Sequence, residues 1–349
     1  MTVRGAFYVP VVTIAIPTLN RAPKAKRLLR AIQDEVRASG LEDRVAVIVS
    51  DNASSDDTPS AVQEFLGSDL NVQYHRQPEN LGFDGNLRFL YTRAATPYVW
   101  FMADDDLPLK GAIARVVGAL ETQDPDVLLF SFIQPPGSTV RTFDFPEAVK
   151  VITEPVSAIQ CVIEYPKVSI YVLRKVDFSS RQWGTLDRSL GDGWYHILFA
   201  LSVLECSSQL KLAVISEPLA TCDEDYFRMA WTPKSVLKKN KMVEHPFVLR
   251  HQPHLPRLYR DRGYCSAIQF AFEAKVGSLV PQNMHDYDLF IRNLEWRMPV
   301  LLKAPRAFCQ LLAIKLGIAW VWPKMRGVRE IGRRLIRSPR RPLNAGIPR

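Results

Sequence analysis

The stretch Tyr98–Asp106 reads YVWFMADDD and is the most informative segment of this 349-residue chain. An apolar, β-rich run has the pattern of a buried strand, and this one ends in three consecutive carboxylates. Clustered like charges repel unless they lie in water or meet a cation, and aspartate oxygens are ligands that Mg²⁺ and Mn²⁺ prefer. We therefore expect either a divalent metal site or a solvated acidic turn at the end of this strand.

Apolar strands alternate with helical spacing on both sides of this stretch. Strands are expected at 11–16, 45–50, 72–75, 98–102 and 127–132, and helices at 25–39, 58–66, 86–94 and 111–120. This alternation predicts an α/β fold with a mainly parallel central sheet and helices on both faces. Ligands bind such sheets at the carboxyl ends of the strands, so the polar loops after the second and fourth strands should converge there.

The alternation weakens beyond residue 134. Strands are expected at 168–173 and 212–215, with a helix over 192–204 between them, and residues 235–300 are mostly helical in pattern.

Composition narrows the class of protein. The net charge is +9, but residues 324–349 hold nine Lys or Arg and one acid, so the body of the chain is close to neutral and is not a nucleic-acid-binding domain. Five scattered cysteines without a C-x-x-C argue against a disulfide framework or zinc site and favour a reducing compartment. No apolar run reaches the length of a membrane span, and residues 9–19 suit a strand better than a signal peptide.

The basic end of the chain has an amphipathic pattern. On a helical wheel over Met325–Arg337 the apolar residues fall in an arc of roughly 140°, and the arginines occupy the opposite side. The preceding stretch 307–322 is mostly apolar and ends in Trp320-Val321-Trp322. We expect contact with an anionic membrane surface, the alternatives being a core helix or a homodimer interface followed by a solvated tail.

Four motifs, taken together and in this order, resemble family 2 GT-A glycosyltransferases: Ile16–Arg21 (IPTLNR), Val49–Thr58 (VSDNASSDDT), Glu79–Gly82 (ENLG) and Phe101–Asp106 (FMADDD). The residues around 80–86 and 100–106 are most similar to the abequosyltransferase-type branch, and the resemblance covers about residues 10–220. Neither G-x-G-x-x-G nor a P-loop motif is present, so a dinucleotide fold of the Rossmann type has no support.

The resemblance implies a GT-A fold with a helical C-terminal extension. The glycosyltransferase domain would span 1–230, with a nucleotide-binding half over about 10–132 and an acceptor half over about 133–230. A mainly helical extension would follow over 231–322, and a basic amphipathic tail over 323–349.

The resemblance also implies the residues that hold the donor. Asp104 would contact the ribose, and Asp106 would hold Mg²⁺ or Mn²⁺, which neutralises the departing diphosphate. The nucleotide-sugar-binding residues implied are Pro17, Thr18, Asn20, Arg21, Asp51, Asn52, Ser54, Asn80, Gly82, Asn86, Asp104 and Asp105.

An inverting transfer needs a general base for the acceptor hydroxyl, and the family places an acid at the start of a helix. Asp192 matches that position, although Gly191 stands where the family commonly has Glu, and Asp187 is the runner-up. The alternative is that Asp192 merely caps the helix. Acceptor contacts are expected at Trp194, Tyr195 and His196, although residues at such spacing also serve as core.

The implied activity is a metal-dependent, inverting transfer from a nucleotide sugar to a saccharide or lipid-linked acceptor. The pathway would be bacterial cell-surface polysaccharide synthesis of the O-antigen type, and the location cytoplasmic, peripheral on the inner face of the cytoplasmic membrane. The alternative is a non-catalytic GT-A domain that serves as a membrane scaffold or binding module. A sugar nucleotidyltransferase is disfavoured, because the chain lacks the Gly-rich loop with a downstream Lys that such enzymes use.

Overall fold

A computed structural model describes residues 10–134, 138–139, 141–222, 244–279 and 284–321. These residues divide into two compact units, the first reaching to Arg260 and the second beginning at Asp261. The predicted amphipathic helix of the basic tail lies outside the described residues.

The first unit opens with the predicted alternation of strands and helices. Its elements are β1 (Val12–Thr18), α1 (Ala22–Ser39), β2 (Val45–Asp51), α2 (Thr58–Gln63), β3 (Asn71–Arg76), α3 (Gly82–Arg93) and β4 (Tyr98–Phe101). The strands lie in the order β3-β2-β1-β4, and all three pairings are parallel. Every residue of β1, β2 and β4 is buried, as expected for strands covered on both faces.

The sheet continues into a mixed second half. Its elements are β5 (Asp106–Pro108), α4 (Ala112–Gln123), β6 (Val127–Ile133), β7 (Val149–Ile152), α5 (Pro155–Glu164), β8 (Val172–Arg174), α6 (Ser180–Asp187), α7 (Tyr195–Cys206) and β9 (Leu212–Cys222). From β4 the order is β8-β6-β9-β5, and β7 also pairs with β9. The strand β8 is antiparallel to both its neighbours, whereas β6 and β9 are parallel. The predicted α/β class, with a large, mostly parallel sheet and helices, is confirmed.

Helices make up the described part of the chain after β9. They are α8 (Pro246–His251) in the first unit, α9 (Leu255–Lys275), within which the boundary between units falls, and α10 (Met284–Arg292), α11 (Met298–Lys303) and α12 (Pro305–Lys315) in the second. The second unit has its own core, built around Ile268, Phe290 and Leu311. Within the described helices, none combines the length and apolar character required to cross a bilayer.

Two helices near the carboxyl edge of the sheet begin at other residues than the sequence predicts. Helix α3 begins at Gly82, four residues early, because side chains accept the amides that enter it: Asn52 bonds Leu81, and Asn80 bonds Gly82. Helix α7 begins at Tyr195 rather than at residue 192, because the preceding turn contains two glycines in the left-handed region.

Two strands also differ from the prediction. Residues 168–173 do not form one strand, since Val168–Ile170 is a 3₁₀ turn that leads into the short β8. The short β5 was not predicted, because its polar sequence gives no strand signal and it is held in place by β9.

Candidate active site

A cavity of about 450 Å³ opens where the chain leaves β1, β2, β3 and β4. These parallel strands end at one edge, so the segments that follow all four meet there. The lining residues are Pro17, Thr18, Leu19, Arg21, Asn52, Asn80, Gly82, Phe83, Asn86, Ala103, Asp104 and Asp105. Nine of the twelve residues expected to bind the nucleotide sugar are among them, and they come from all four motifs.

One guanidinium balances two carboxylates in this cavity. Arg21 NH1 lies 2.7 Å from Asp104 Oδ1 and 3.2 Å from Asp105 Oδ2, and the Thr18 hydroxyl donates to Asp104 Oδ2 at 2.8 Å. Both carboxylates are almost fully buried, while a third of the Arg21 side chain is exposed. Burial raises the pKa of Asp104, and the charge of Arg21 opposes that rise.

An amide network forms the opposite side of the cavity. The Asn52 side chain donates to Asn80 Oδ1 at 2.8 Å and to the Gly82 carbonyl at 3.2 Å, and it accepts the Leu81 amide. Asn86 donates to the Ser50 carbonyl at 3.0 Å. The loop after β2 and the start of α3 are therefore held together as one wall.

Three expected donor ligands frame the cavity instead of lining it. Asn20 has a positive φ of 53°, and its side chain accepts the Ser55 amide while its own amide donates to Ser54 Oγ, which joins two loops. Asp51 is fully buried, and its oxygens accept the Ser54 amide at 2.8 Å and the Tyr74 hydroxyl at 2.6 Å. A hydrogen bond from a nucleotide base to Asp51 is therefore not favoured, because Asp51 is fully buried and does not line the cavity.

Asp106, the expected metal ligand, does not line the cavity. It is fully buried, its Oδ1 lies 2.8 Å from Lys167 Nζ, and its Oδ2 accepts the Ser169 hydroxyl. Burial raises the pKa of Asp106 to about 6 against the opposing charge of Lys167. The carboxylates that face the cavity are those of Asp104 and Asp105.

The chemistry of these donors decides how they could hold a metal ion. Among the described residues, no group of three or more His, Cys, Asp or Glu side chains is arranged to bind a metal. Two cavity carboxylates are nevertheless sufficient for Mg²⁺ that takes its other ligands from water and substrate phosphates. The residues fit a metal shared with a diphosphate, and they do not fit a metal held by the protein alone.

The turn that carries Asp192 is bonded to the wall of the cavity. Asp84, in α3, accepts the Gly193 amide at 2.8 Å and the Tyr195 amide at 3.4 Å. Asp192 itself is half-buried and lies two residues before Trp194, the N-cap residue of α7, so it does not occupy the N-cap position.

The runner-up and the expected acceptor residues are engaged elsewhere. Asp187 is paired with Arg88 at 2.7 Å. Tyr195 is fully buried, Trp194 and His196 are nearly so, and His196 Nε2 lies 2.9 Å from the Pro166 carbonyl. Stacking on a sugar requires an exposed ring face, so we correct the expected acceptor contacts of these three residues to core packing.

Three lining residues were missed by the sequence analysis: Leu19, Phe83 and Ala103. Each lies inside or directly beside one of the four motifs, of which mainly the polar residues were predicted to bind the donor. Their position in or next to a motif could have identified them. Phe83 lines the cavity and is 41% exposed, so its ring is accessible to a ligand bound there.

An α/β sheet with a charged cavity at its carboxyl edge, lined from four separate loops, matches the GT-A fold expected from the sequence motifs. Residues 13–182, just under half of the chain, match the family model described as Glycosyl transferase family 2. This part of the chain is therefore similar to a family 2 glycosyltransferase domain. The similarity to the abequosyltransferase-type branch stays a prediction.

A curated relative matches part of this domain. The GalNAc(5)-diNAcBac-PP-undecaprenol beta-1,3-glucosyltransferase of Campylobacter jejuni subsp. jejuni serotype O:2 is 32% identical over 109 residues. Those residues are 31% of this chain and 34% of the relative, so the match spans about a third of the relative's length.

Solved structures share the fold at low identity. Residues 1–349 of TarS from S. aureus, in complex with UDP-GlcNAc, superpose with a TM-score of 0.62 at 14% identity, covering 91% of this chain and 92% of that TarS chain. The mannosyltransferase PcManGT from Pyrobaculum calidifontis, in complex with GDP-Man and Mn²⁺, superposes with a TM-score of 0.50 at 18% identity over 90% and 88% of the two chains. At such identities the likeness establishes the fold alone.

Proposed function

We propose that this chain is an inverting, metal-dependent glycosyltransferase that moves a sugar from a nucleotide-sugar donor to a saccharide or lipid-linked acceptor. The observation that carries the proposal is the cavity, in which Arg21 and two buried carboxylates face an amide-rich wall. The named nucleotide-sugar complexes of TarS and PcManGT support the donor class. The undecaprenol-linked acceptor in the name of the C. jejuni relative supports a lipid-linked acceptor and a bacterial cell-surface glycan, of which O-antigen is one type.

Arg21 is the proposed partner of the donor diphosphate. Its guanidinium is partly exposed at the cavity, and a planar fork of donors suits phosphate oxygens. Thr18 and Asp104, which are joined by a hydrogen bond, would orient the ribose, and Asn52, Asn80, Gly82 and Asn86 would close around the nucleotide and sugar.

Asp104 and Asp105 are the residues we propose to hold Mg²⁺ or Mn²⁺ together with the donor phosphates, in place of Asp106. The metal would neutralise charge on the departing diphosphate. The Mn²⁺ of the PcManGT complex supports divalent metal use. Because Arg21 contacts both carboxylates, a bound diphosphate would compete with them for the same guanidinium.

Asp192 is the proposed general base. Its carboxylate would take the proton of the acceptor hydroxyl while the oxygen attacks the anomeric carbon from the face opposite the diphosphate, which inverts that carbon. Asp187 is less suited to this task, since it is already paired with Arg88.

The second unit is the proposed site of contact with the membrane that carries the acceptor, and the basic tail would add to it. Residues 296–321 contain four Lys or Arg and no acid. They expose Leu302 (74%), Leu316 (61%) and Trp320 (61%). Apolar and tryptophan side chains among cations favour the surface of an anionic bilayer. The location we propose is the cytoplasmic face of that membrane.

The proposal is tested by a screen of nucleotide sugars. UDP-glucose, UDP-GlcNAc and GDP-mannose are each incubated with the full chain and Mn²⁺, and release of nucleoside diphosphate is measured with and without a lipid extract as acceptor. At least one donor should be consumed, and a chelator should stop the reaction. A chain that consumes no donor in a broad panel would support the scaffold alternative.

A further inference from the structure

Asp84 is a buried carboxylate to which the proposed reaction gives no role. It lies in α3 between Phe83 and Asn86, both of which line the cavity, and only 2% of it is exposed. It is 109 positions away in the sequence from its partner Gly193. A buried carboxylate needs compensating hydrogen bonds, so its partners indicate what it does.

The partners of Asp84 are backbone amides of a single turn. Its oxygens accept the amides of Gly193 and Tyr195, and the Gly191 amide also contributes. Burial raises the pKa of Asp84, these three amides lower it, and the nearby charge of Asp192 raises it again. The contacts therefore enclose Asp192 between Gly191 and Gly193.

The backbone of this turn has an unusual conformation. Gly191 and Gly193 have φ values of 86° and 80°, which only glycine adopts readily. Glycine also has the greatest backbone freedom, so these two residues do not by themselves hold the turn in one conformation. Asp192 is held locally by its amide, which donates to the Ser189 carbonyl at 3.1 Å. The carboxylate of Asp84, in α3, adds a long-range anchor to this local contact.

We propose that Asp84 is a positioning residue that fixes the turn of Asp192 against the donor cavity, a role that rests on the proposed function of Asp192 as base. Asp84 is buried and is not among the residues that line the cavity. It couples α3, which contributes Gly82, Phe83 and Asn86 to the cavity, to the turn that carries the base. Correct placement of a base within hydrogen-bond reach of its proton is a large part of its effect.

The test is a double-mutant cycle on turnover with the donor that the panel of UDP-glucose, UDP-GlcNAc and GDP-mannose identifies, in Mn²⁺. The Asp192→Asn variant should lose about 10²–10⁴-fold in kcat, the range for removal of a general base. Asp84→Asn should lose about 10–10²-fold in kcat with the donor KM changed less than about twofold, since a misplaced base costs rate and leaves donor contacts intact.

The double variant distinguishes positioning from general damage. If Asp84 acts through Asp192, adding Asp84→Asn to Asp192→Asn should cost less than about twofold more. A full further loss of the Asp84→Asn factor in the double variant would overturn the proposal. If Asp192→Asn turns over normally and Asp187→Asn does not, the assignment of Asp192 as the base is wrong. The contact between Asp84 and the turn would not be affected by that result.

Hydrogen exchange gives a readout that does not depend on activity. The amides of Gly193 and Tyr195 should exchange at least about tenfold faster in Asp84→Asn than in the wild type, because the carboxamide presents a donor to one of them. Unchanged exchange would overturn the anchor itself.

Asp126→Asn is the matched control. Asp126 also accepts a backbone amide, that of Lys211 at 2.8 Å, but it lies at the start of β6, at the opposite end of the sheet from the cavity. This variant should lower stability and leave kcat within about twofold of wild type. If Asp126→Asn lost as much kcat as Asp84→Asn, the effect of Asp84→Asn would be explained by lower stability alone, and the proposal would be overturned.

Discussion

Arg21 carries the electrostatic balance of the cavity. Its guanidinium lies within 3.2 Å of both cavity carboxylates, and without it two nearly buried negative charges would face an anionic donor. The donor and the carboxylates therefore depend on the same side chain, which makes Arg21 the most informative single residue to change.

We expect Arg21→Gln to weaken binding of a nucleoside diphosphate by about 10–10²-fold, the worth of a charge-assisted hydrogen bond to phosphate. Arg21→Lys should recover only part of the loss, because ammonium lacks the planar fork. Calorimetric titration with UDP and GDP in Mn²⁺ measures both. Arg37→Gln is the control, since Arg37 lies on the same helix and pairs with Asp69 on the surface. Wild-type affinity in Arg21→Gln would remove Arg21 from the donor site.

Asp106 illustrates how burial changes a role inferred from a motif. We expect Asp106→Asn to lower the free energy of unfolding by about 3 kcal/mol, because it leaves Lys167, whose side chain is only 15% exposed, without its counter-charge. Urea unfolding of Asp106→Asn and of the double variant Asp106→Asn/Lys167→Met measures this, and the double variant should recover much of the loss. A stable Asp106→Asn that has lost only Mn²⁺ dependence would restore Asp106 as the metal ligand.

Elements of the sheet were predictable because their signals are local. The apolar runs of β1, β2 and β4 locate these strands to within two residues, and Gly40 ends α1 in the left-handed conformation that its position predicts. The cavity was predictable for the same reason, because each of the four loops that line it follows a predicted strand.

Long-range contacts account for what could not be predicted. The turn before α7 is hydrogen-bonded to Asp84, the buried Asp106 is paired with Lys167, and Asp51 accepts the Tyr74 hydroxyl. None of these pairs is visible in a local pattern, so the sequence located the polar motifs but not the orientation of their side chains.

Helix α8 contains a pH-sensitive cap in His245. Its Nδ1 accepts the Phe247 amide at 3.2 Å, so Nε2 carries the proton and donates to the Ser202 hydroxyl at 2.9 Å. Burial lowers the pKa of His245 to about 4. The unfolded chain binds this proton near pH 6.5 and the folded chain does not, so stability is lost as the pH falls from 6.5 towards 4.

Between pH 7 and pH 4, we expect the free energy of unfolding of the wild type to fall by up to about 3 kcal/mol more than that of His245→Asn. The reason is that asparagine caps a helix without titrating. Urea unfolding at several pH values measures the difference. The exposed His251, replaced in the same way, should follow the wild type. If the free energies of unfolding of the wild type and of His245→Asn changed in parallel with pH, the assignment of His245 as a buried, neutral residue would be contradicted.

Charge is distributed unevenly over the whole molecule. Residues 296–349 hold thirteen Lys or Arg and one acid, so the rest of the chain has no excess of positive charge. We expect the full chain to sediment with vesicles containing anionic phosphatidylglycerol and to be released as salt rises, because screening acts over about 8 Å at physiological ionic strength.

Variants locate that contact in the second unit or in the tail. Leu302→Glu and Trp320→Glu should each weaken sedimentation, whereas Leu249→Glu, at a leucine of the first unit that is 46% exposed, should not. Truncation after Pro323 should reduce attachment further and leave donor hydrolysis intact. Equal sedimentation of all these proteins, or none with anionic vesicles, would contradict the membrane proposal.

The central claim is that the cavity between Arg21 and α3 is the donor site of a glycosyltransferase. A crystal structure of the full chain with Mn²⁺ and the nucleoside diphosphate released in the donor screen tests it most directly. We predict a diphosphate within hydrogen-bond distance of Arg21, a metal on Asp104 or Asp105, and the nucleoside against Asn52. A nucleotide bound outside this cavity, or a metal bound by Asp106 alone, would contradict the account.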